Sequence, residues 1–200
     1  MILAFDTSSA ACTAALFDGD GECVARADEV IGRGHAERLV PMLDELLDGR
    51  KADSIVVGVG PGSFTGIRVA IAAAHGLAIG WGVELSGMSS LGLLAAGAND
   101  GGELATAVQG GHGELFIQQF SAGKPTSDLL NVPPAAAAAA TPAKLVIGSG
   151  ARKLVDARGW GEAREALPSA ADTLKLPADL RSLPAKPIYA RAPDAKAKAA

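Results

Sequence analysis

Apolar runs and polar breaks divide the chain into short strands and longer amphipathic stretches. Ile2–Asp6 is a brief apolar run that ends in the acidic, hydroxyl-rich turn DTSSAA. Residues 12–18 form a second strand candidate. GDG at residues 19–21 is a hairpin turn signal, and residues 22–30 follow as a third strand. A β-meander is predicted. Beyond the break at residues 32–34, Leu39, Leu43, Leu46 and Leu47 fall on one face of a helix over His35–Leu47, with the acidic residues largely off it. Pro41 inside that pattern predicts a kink or a short preceding turn.

Residues 54–59 are a continuous apolar, β-branched run, the signature of a strand buried on both faces. The segment GVGPGSFTGIRVA (residues 58–70) follows and opens into a helix over residues 64–80. VELSGMSSLGLLAAG (83–97) reads as a strand and a helix. Residues 99–102 are polar and turn-rich and mark a lobe boundary, dividing the chain into 1–100 and 101–200. Past it, LATAVQ and ELFIQQF are strands around the tight turn GGHG (110–113). Residues 133–142 are Ala-rich and read as a surface segment with a turn of helix. KLVIGSGARKL (144–154) is strand, glycine turn, helix. The end of the chain reads as a disordered tail. The two strand–turn–strand starts, at Ile2 and Leu104, point to a duplicated fold.

The chain has 200 residues, 48% hydrophobic and only 4% aromatic, so its core must be built from Ala, Val, Leu and Ile. A net charge of -4 argues against a dedicated nucleic-acid binder. No signal peptide and no spanning helix is expected; residues 63–81 come nearest to one, interrupted by Arg68 and His75. Cys12 and Cys23 form no metal-like spacing and read as reduced fillers. A cytoplasmic protein is expected, with no membrane partner.

Hairpin turns that point into a cleft can cradle phosphates with backbone N–H groups. Asp6, Thr7 and Ser8 fit that role, as do Gly110 and the turn after it, with Gly148 and Gly150 near a nucleotide's base or ribose. Asp6 has a second reading, as the cap of the turn after the first strand. The loop GPGSFTG lacks the Lys followed by Ser or Thr that a phosphate-binding loop requires. Its Pro61 and Gly62 suit a turn, with positive φ at Gly62, and Ser63 or Thr65 can cap the helix. Gly66, Ile67, Ala70 and Ala74 then give a small-residue face that another helix can approach closely. His35, Leu39, Val40, Leu43 and Leu47 supply a second, adjacent face.

ILAFDTSSAACTAALFDG, GHAERLVPMLDELL, GVGPGSFTGIRVA and KPIYARAPDAK together resemble the bacterial TsaB (YeaZ) family. The likeness is strong over residues 1–96, patchy over 103–150, and returns at 187–196. It implies an α/β, two-lobed actin/Hsp70/sugar-kinase-like (ASKHA) fold with a truncated second lobe. It also implies a non-catalytic paralogue of TsaD, active in threonylcarbamoylation of adenosine 37 in ANN-decoding tRNAs. The implied partners are a TsaD homologue, TsaE with ATP, and a second copy when alone, with tRNA met only indirectly. No cofactor is expected to bind tightly, and ATP only in the complex with TsaD and TsaE. TsaD carries a metal-binding H-M-E-G-H stretch. The matching MSSLG here puts Met88 and Gly92 where the histidines would be, and neither replaces an imidazole ligand. Many TsaB relatives have D-A-R where this chain has Gln109, Gly110 and Gly111, which removes an acid and a base. A small-molecule kinase of the same superfamily is the alternative. A metallopeptidase is least favoured, because no HxxxH or HExxH is present.

Overall fold

The structure, a computed structural model, describes residues 1–98 and 101–189. Part of the predicted lobe boundary and the tail from residue 190 lie outside the described residues.

Strands β1 (Ile2–Asp6), β2 (Ala11–Phe17) and β3 (Cys23–Val30) form the antiparallel meander. Between β2 and β3 the turn is held by Asp18, whose Oδ1 accepts from the backbone N–H of Asp20 and of Glu22 at 3.0 and 2.9 Å. Helix α1 (His35–Leu47) leads to β4 (Ser54–Gly58), which runs parallel to β1. Helix α2 (Phe64–Trp81) then leads to β5 (Glu84–Met88), parallel to β4. The strand order is β3-β2-β1-β4-β5. Pro41 lies inside α1 without ending it. Its missing N–H would have bonded back to Glu37 on the solvent side, where water can take the carbonyl.

The apolar face of α1 and the inner face of α2 cover one side of this sheet. Leu3, Phe5, Leu16, Ile55 and Val57 meet Leu39, Leu43, Ile67, Ala70 and Ala74 there. On the other side Ala4, Phe17 and Val56 pack with Met88 and Leu93. Burial on both faces is what the unbroken apolar run of β4 requires. Helix α2 is long and apolar enough to cross a membrane, with mean hydropathy 1.3, contrary to the expectation from its sequence. Six of its residues are buried against the protein's own core.

Helix α3 (Ser90–Ala98) sits between the two sheets, with Leu91, Leu94 and Ala95 packed on Leu104, Val108, Phe120 and Ile147. The second half repeats the first: β6 (Glu103–Gln109), β7 (Leu115–Ser121), β8 (Lys124–Pro125), β9 (Leu130–Val132), α4 (Pro134–Ala140), β10 (Leu145–Ile147), α5 (Ala151–Arg158) and β11 (Glu162–Arg164). Its order is β11-β10-β6-β7-β8, with β9 also on β7. The block β2-β1-β4-β5 of the first sheet recurs as β7-β6-β10-β11, with the same antiparallel and parallel pairings. This duplication is the two-lobed ASKHA arrangement with a reduced second lobe. The Ala-rich segment is more than surface: α4 buries Ala137 completely.

The second lobe does not run to the chain end. After β11 the chain returns to the first lobe through the 3₁₀ segment Ala170–Lys175 and helix α6 (Ala178–Arg181). Ala170 N–H donates to Thr13 Oγ1 at 2.7 Å, and Leu176 packs in the core beneath β1 and β2. The first sheet is built from strands before residue 100 and the second from strands after it, while residues 170–181 pack on the first.

Candidate functional site

The turn after β1 is where a superfamily kinase would hold phosphate, and here it is closed by the chain itself. Asp6 and Thr7 are fully buried and Ser8 is 2% exposed. Asp6 Oδ1 accepts from the backbone N–H and the hydroxyl of Ser8 at 2.6 and 2.7 Å, and its Oδ2 accepts from Ser90 at 2.5 Å. Both carboxylate oxygens are thus used in holding the turn. The GPGSFTG loop lies directly on top. Ser63 N–H donates to the Ser8 carbonyl at 2.6 Å, and Thr7 Oγ1 donates to the Gly66 carbonyl at 2.7 Å. A Cβ on Gly66 would fall 1.9 Å from the Thr7 carbonyl oxygen, and one on Gly62 2.1 Å from that of Ser8. These glycines exist so that two backbones can touch. Gly62 has the expected positive φ, at 159°, and Gly60 has one too, at 96°. Ser63 Oγ caps α2 by accepting from Gly66 N–H at 3.2 Å.

The second lobe repeats the device. Gly150 N–H donates to the Ala107 carbonyl at 2.9 Å, and a Cβ on Gly148 would lie 2.3 Å from that oxygen. Gln109 Nε2 donates to the Ser149 carbonyl at 2.9 Å, so the glycine turn 148–150 is packed on the end of β6. Gly110 begins an exposed turn whose Gly113 carbonyl accepts from Lys153 Nζ at 2.8 Å. That lysine, forty residues away in the chain, is carried in by α5, and no local pattern marks it.

The surface between α1 and α2 has a different character. An open groove of about 420 Å³ runs between them, lined by Val40, Leu43, Leu47, Ala73, Gly76, Leu77 and Trp81, with Asp44, Arg50 and Lys51 at the rim. Of the residues predicted for an interface, Val40 is 62% exposed and Leu43 and Leu47 form the groove floor. Leu39, Gly66, Ile67, Ala70 and Ala74 are buried in the protein's own packing, and the buried His35 contacts the Ala11 carbonyl through Nε2 at 3.2 Å. Ala70 and Ala74 face the sheet rather than outward, so the stripe expected to meet another helix meets the protein's own core. The outward small residues are Ala72, Ala73, Gly76 and Gly80. A Cβ on Gly76 or Gly80 would meet nothing within 4 Å. Glycine in a helix interior costs about 1 kcal/mol relative to alanine, so its presence at the open interior position 76 has no explanation in this chain's own packing. Two such glycines four residues apart were a signal available in the sequence.

Residues 28–153 match the family model described as TsaD, tRNA N6-adenosine threonylcarbamoyltransferase. A solved structure from Pseudomonas aeruginosa, described as an uncharacterized protein with similarity to peptidase YEAZ, superposes with a TM-score of 0.79. It is 32% identical, covering 95% of this chain and 99% of that one. The chain belongs to the TsaB (YeaZ) family. Escherichia coli TsaB, a tRNA threonylcarbamoyladenosine biosynthesis protein, is 35% identical over 127 residues, 60% of this chain and 54% of that protein. The Haemophilus influenzae protein of the same description is 33% identical over 64% of this chain and 56% of its own length. The chain thus spans little more than half the length of these curated TsaB relatives.

Within this TsaB-family chain Met88 and Gly92, the two positions that the resemblance sets against metal histidines, lie in the core. Met88 is fully buried, and a Cβ on Gly92 would fall 2.9 Å from Leu176 Cδ2. Leu176 and Leu180 of the returning C-terminal segment fill the space an imidazole pair would need. Among the described residues, no group of three or more His, Cys, Asp and Glu is placed to hold a metal.

Proposed function

We propose that this chain is a non-catalytic subunit of tRNA threonylcarbamoyladenosine synthesis that docks a TsaD-type catalytic subunit through the α1/α2 groove. The observation that carries the reading is Gly76: an interior helix glycine, open to solvent, at the wall of an apolar groove. A partner helix laid against it can approach more closely than any side chain there would allow. Apolar surface gathered into one groove is the common mark of an interaction site. The names of the TsaB relatives support the pathway, and the TsaD family match supports a paralogous pair that packs like against like. The closed turn at Asp6–Ser8 supports a lobe used as scaffold rather than as a nucleotide site. ATP would then enter with TsaE at the assembled complex, and a second copy of this chain could occupy the groove when TsaD is absent.

Co-purification of the tagged chain with the TsaD homologue of the same cell, with and without ATP, tests the pairing. Reconstitution of tRNA modification with and without the chain tests the role. ATP turnover by the isolated protein above roughly 1 per second would instead support a kinase.

A further inference from the structure

Helix α2 is held from two sides. Along one flank it meets α1 across the groove. Along the other runs the C-terminal segment 183–189. Leu183 bridges antiparallel to Gly87 of β5, and Ile188 N–H donates to the Val59 carbonyl at 2.9 Å. Gly87 admits the segment: a Cβ there would lie 2.8 Å from the Pro184 carbonyl oxygen. Leu183, Ala185 and Ile188 pack on the α1/α2 core. Two α2 side chains, seven residues and so nearly two turns apart, reach this segment. Arg68 donates from Nε and Nη2 to the Tyr189 hydroxyl at 3.2 and 3.1 Å, with its guanidinium 3.6 Å from the Phe64 ring centroid. His75 Nε2 contacts the Ala185 carbonyl at 3.4 Å. Phe64 and Tyr189 lie 5.8 Å apart, centroid to centroid. Phe64, Arg68 and His75 lie on the flank away from Ala73 and Leu77, which line the groove.

We propose that residues 183–189 are a positioning strap for α2, with Tyr189 on Arg68 as its latch. The strap holds the outer flank of α2 from Arg68 to His75, and so sets where the helix sits against α1 and how wide the groove is. Tyr189 and Arg68 are positioning residues that act through the helix. This rests on the reading of the groove as the docking site, and it adds that docking depends on a segment more than 100 residues away in sequence.

The test uses the full chain carrying Tyr189→Ala or Tyr189→Phe. Amide exchange is measured on the isolated protein, and affinity is measured for the purified TsaD homologue. Loss of the latch bonds corresponds to about a tenfold change in a local equilibrium. Tyr189→Ala should therefore raise exchange in the N-terminal half of α2 about tenfold, leave β1 and β4 protected, and weaken TsaD affinity about tenfold. Tyr189→Phe keeps the ring contact and should fall between. Unchanged exchange in α2 overturns the strap, even if affinity drops, since Tyr189 would then be a direct contact. Faster exchange with unchanged affinity also overturns the coupling. If the unmodified chain binds no TsaD, the docking reading has failed, and exchange in the isolated protein still decides whether the strap holds α2. Should Tyr189→Ala unfold, His75→Ala reads the same flank of α2 by the same two measurements.

Discussion

Ser90 at the start of α3 donates its hydroxyl to Asp6 Oδ2 at 2.5 Å, joining the end of β1 to the element between the two sheets. Ser8 Oγ lies 2.9 Å from the same Ser90 oxygen and 2.7 Å from Asp6 Oδ1. Both carboxylate oxygens are engaged as structural acceptors within the fold. Asp6→Ala strands two hydroxyls and a backbone N–H in a dry site. It should cost about 2–4 kcal/mol in urea unfolding and leave any ATP affinity of the isolated chain unchanged. A stable variant with altered nucleotide binding would return Asp6 to a ligand role.

Two glycines of α2 should respond to alanine in opposite directions. At Gly66 the methyl group would collide with the Thr7 carbonyl, and a loss of about 3 kcal/mol or more is expected. At Gly76 nothing stands within 4 Å, and alanine should raise stability by about 0.5–1 kcal/mol. Thermal unfolding of the two variants side by side decides the matter. A destabilising Gly76→Ala would mean the position serves the fold.

Burial, reinforced by the charge of Glu29, pushes the Cys12 thiol from 9.0 up to about 11. Cys12 is completely buried, and its Sγ lies 3.7 Å from Met42 Sδ, whereas Cys23 is exposed. A thiol-disulfide reagent at pH 8 should modify Cys23 quickly and Cys12 only on unfolding. The folded state holds the Cys12 proton more tightly than the unfolded state does. Its contribution to stability is therefore complete below about pH 9 and lost progressively as pH rises towards 11. Cys12→Ser or Cys12→Ala should remove that part of the alkaline decline in a pH series of unfolding curves.

Placing histidines at Met88 and Gly92 should not create a metal site. The side chain of Gly92→His must displace Leu176 and Leu180, which the C-terminal return has packed there. The double variant Met88→His, Gly92→His should unfold at lower denaturant, by about 3 kcal/mol or more, and retain no stoichiometric zinc after dialysis. Zinc retention by a folded variant would show that the cavity can reopen.

The meander, both principal helices and the duplicated strand–turn–strand starts were legible because each is written locally, in period-2 or period-3.6 patterns and glycine turns. The apolar face of α1 that carries Leu43 and Leu47 is legible for the same reason. The facing of α2 was not: nearly every residue in Ala70–Ala74 is small and apolar, so periodicity alone could not choose its buried side, and the tight fit of Gly66 on Thr7 fixes it instead. The short strands β8, β9 and β11 carry too few residues for any period to show. The return of residues 170–188 to the first lobe is a tertiary event, set by contacts such as Ala170 on Thr13 across 157 residues. Arg68 on Tyr189 and Lys153 at Gly113 were hidden for that same reason, since no local pattern marks them.

The most direct measurement is the affinity of the TsaD homologue for the wild-type chain and for Gly76→Leu, by titration calorimetry, with thermal unfolding of each protein alone. A leucine there has open space in the isolated chain and should leave its unfolding temperature unchanged or higher. Projecting from the wall of the groove, it should hold off a partner helix and weaken binding by roughly thirtyfold or more, about 2 kcal/mol. Binding within twofold of wild type, by a variant that is folded and equally stable, would contradict docking through the α1/α2 groove.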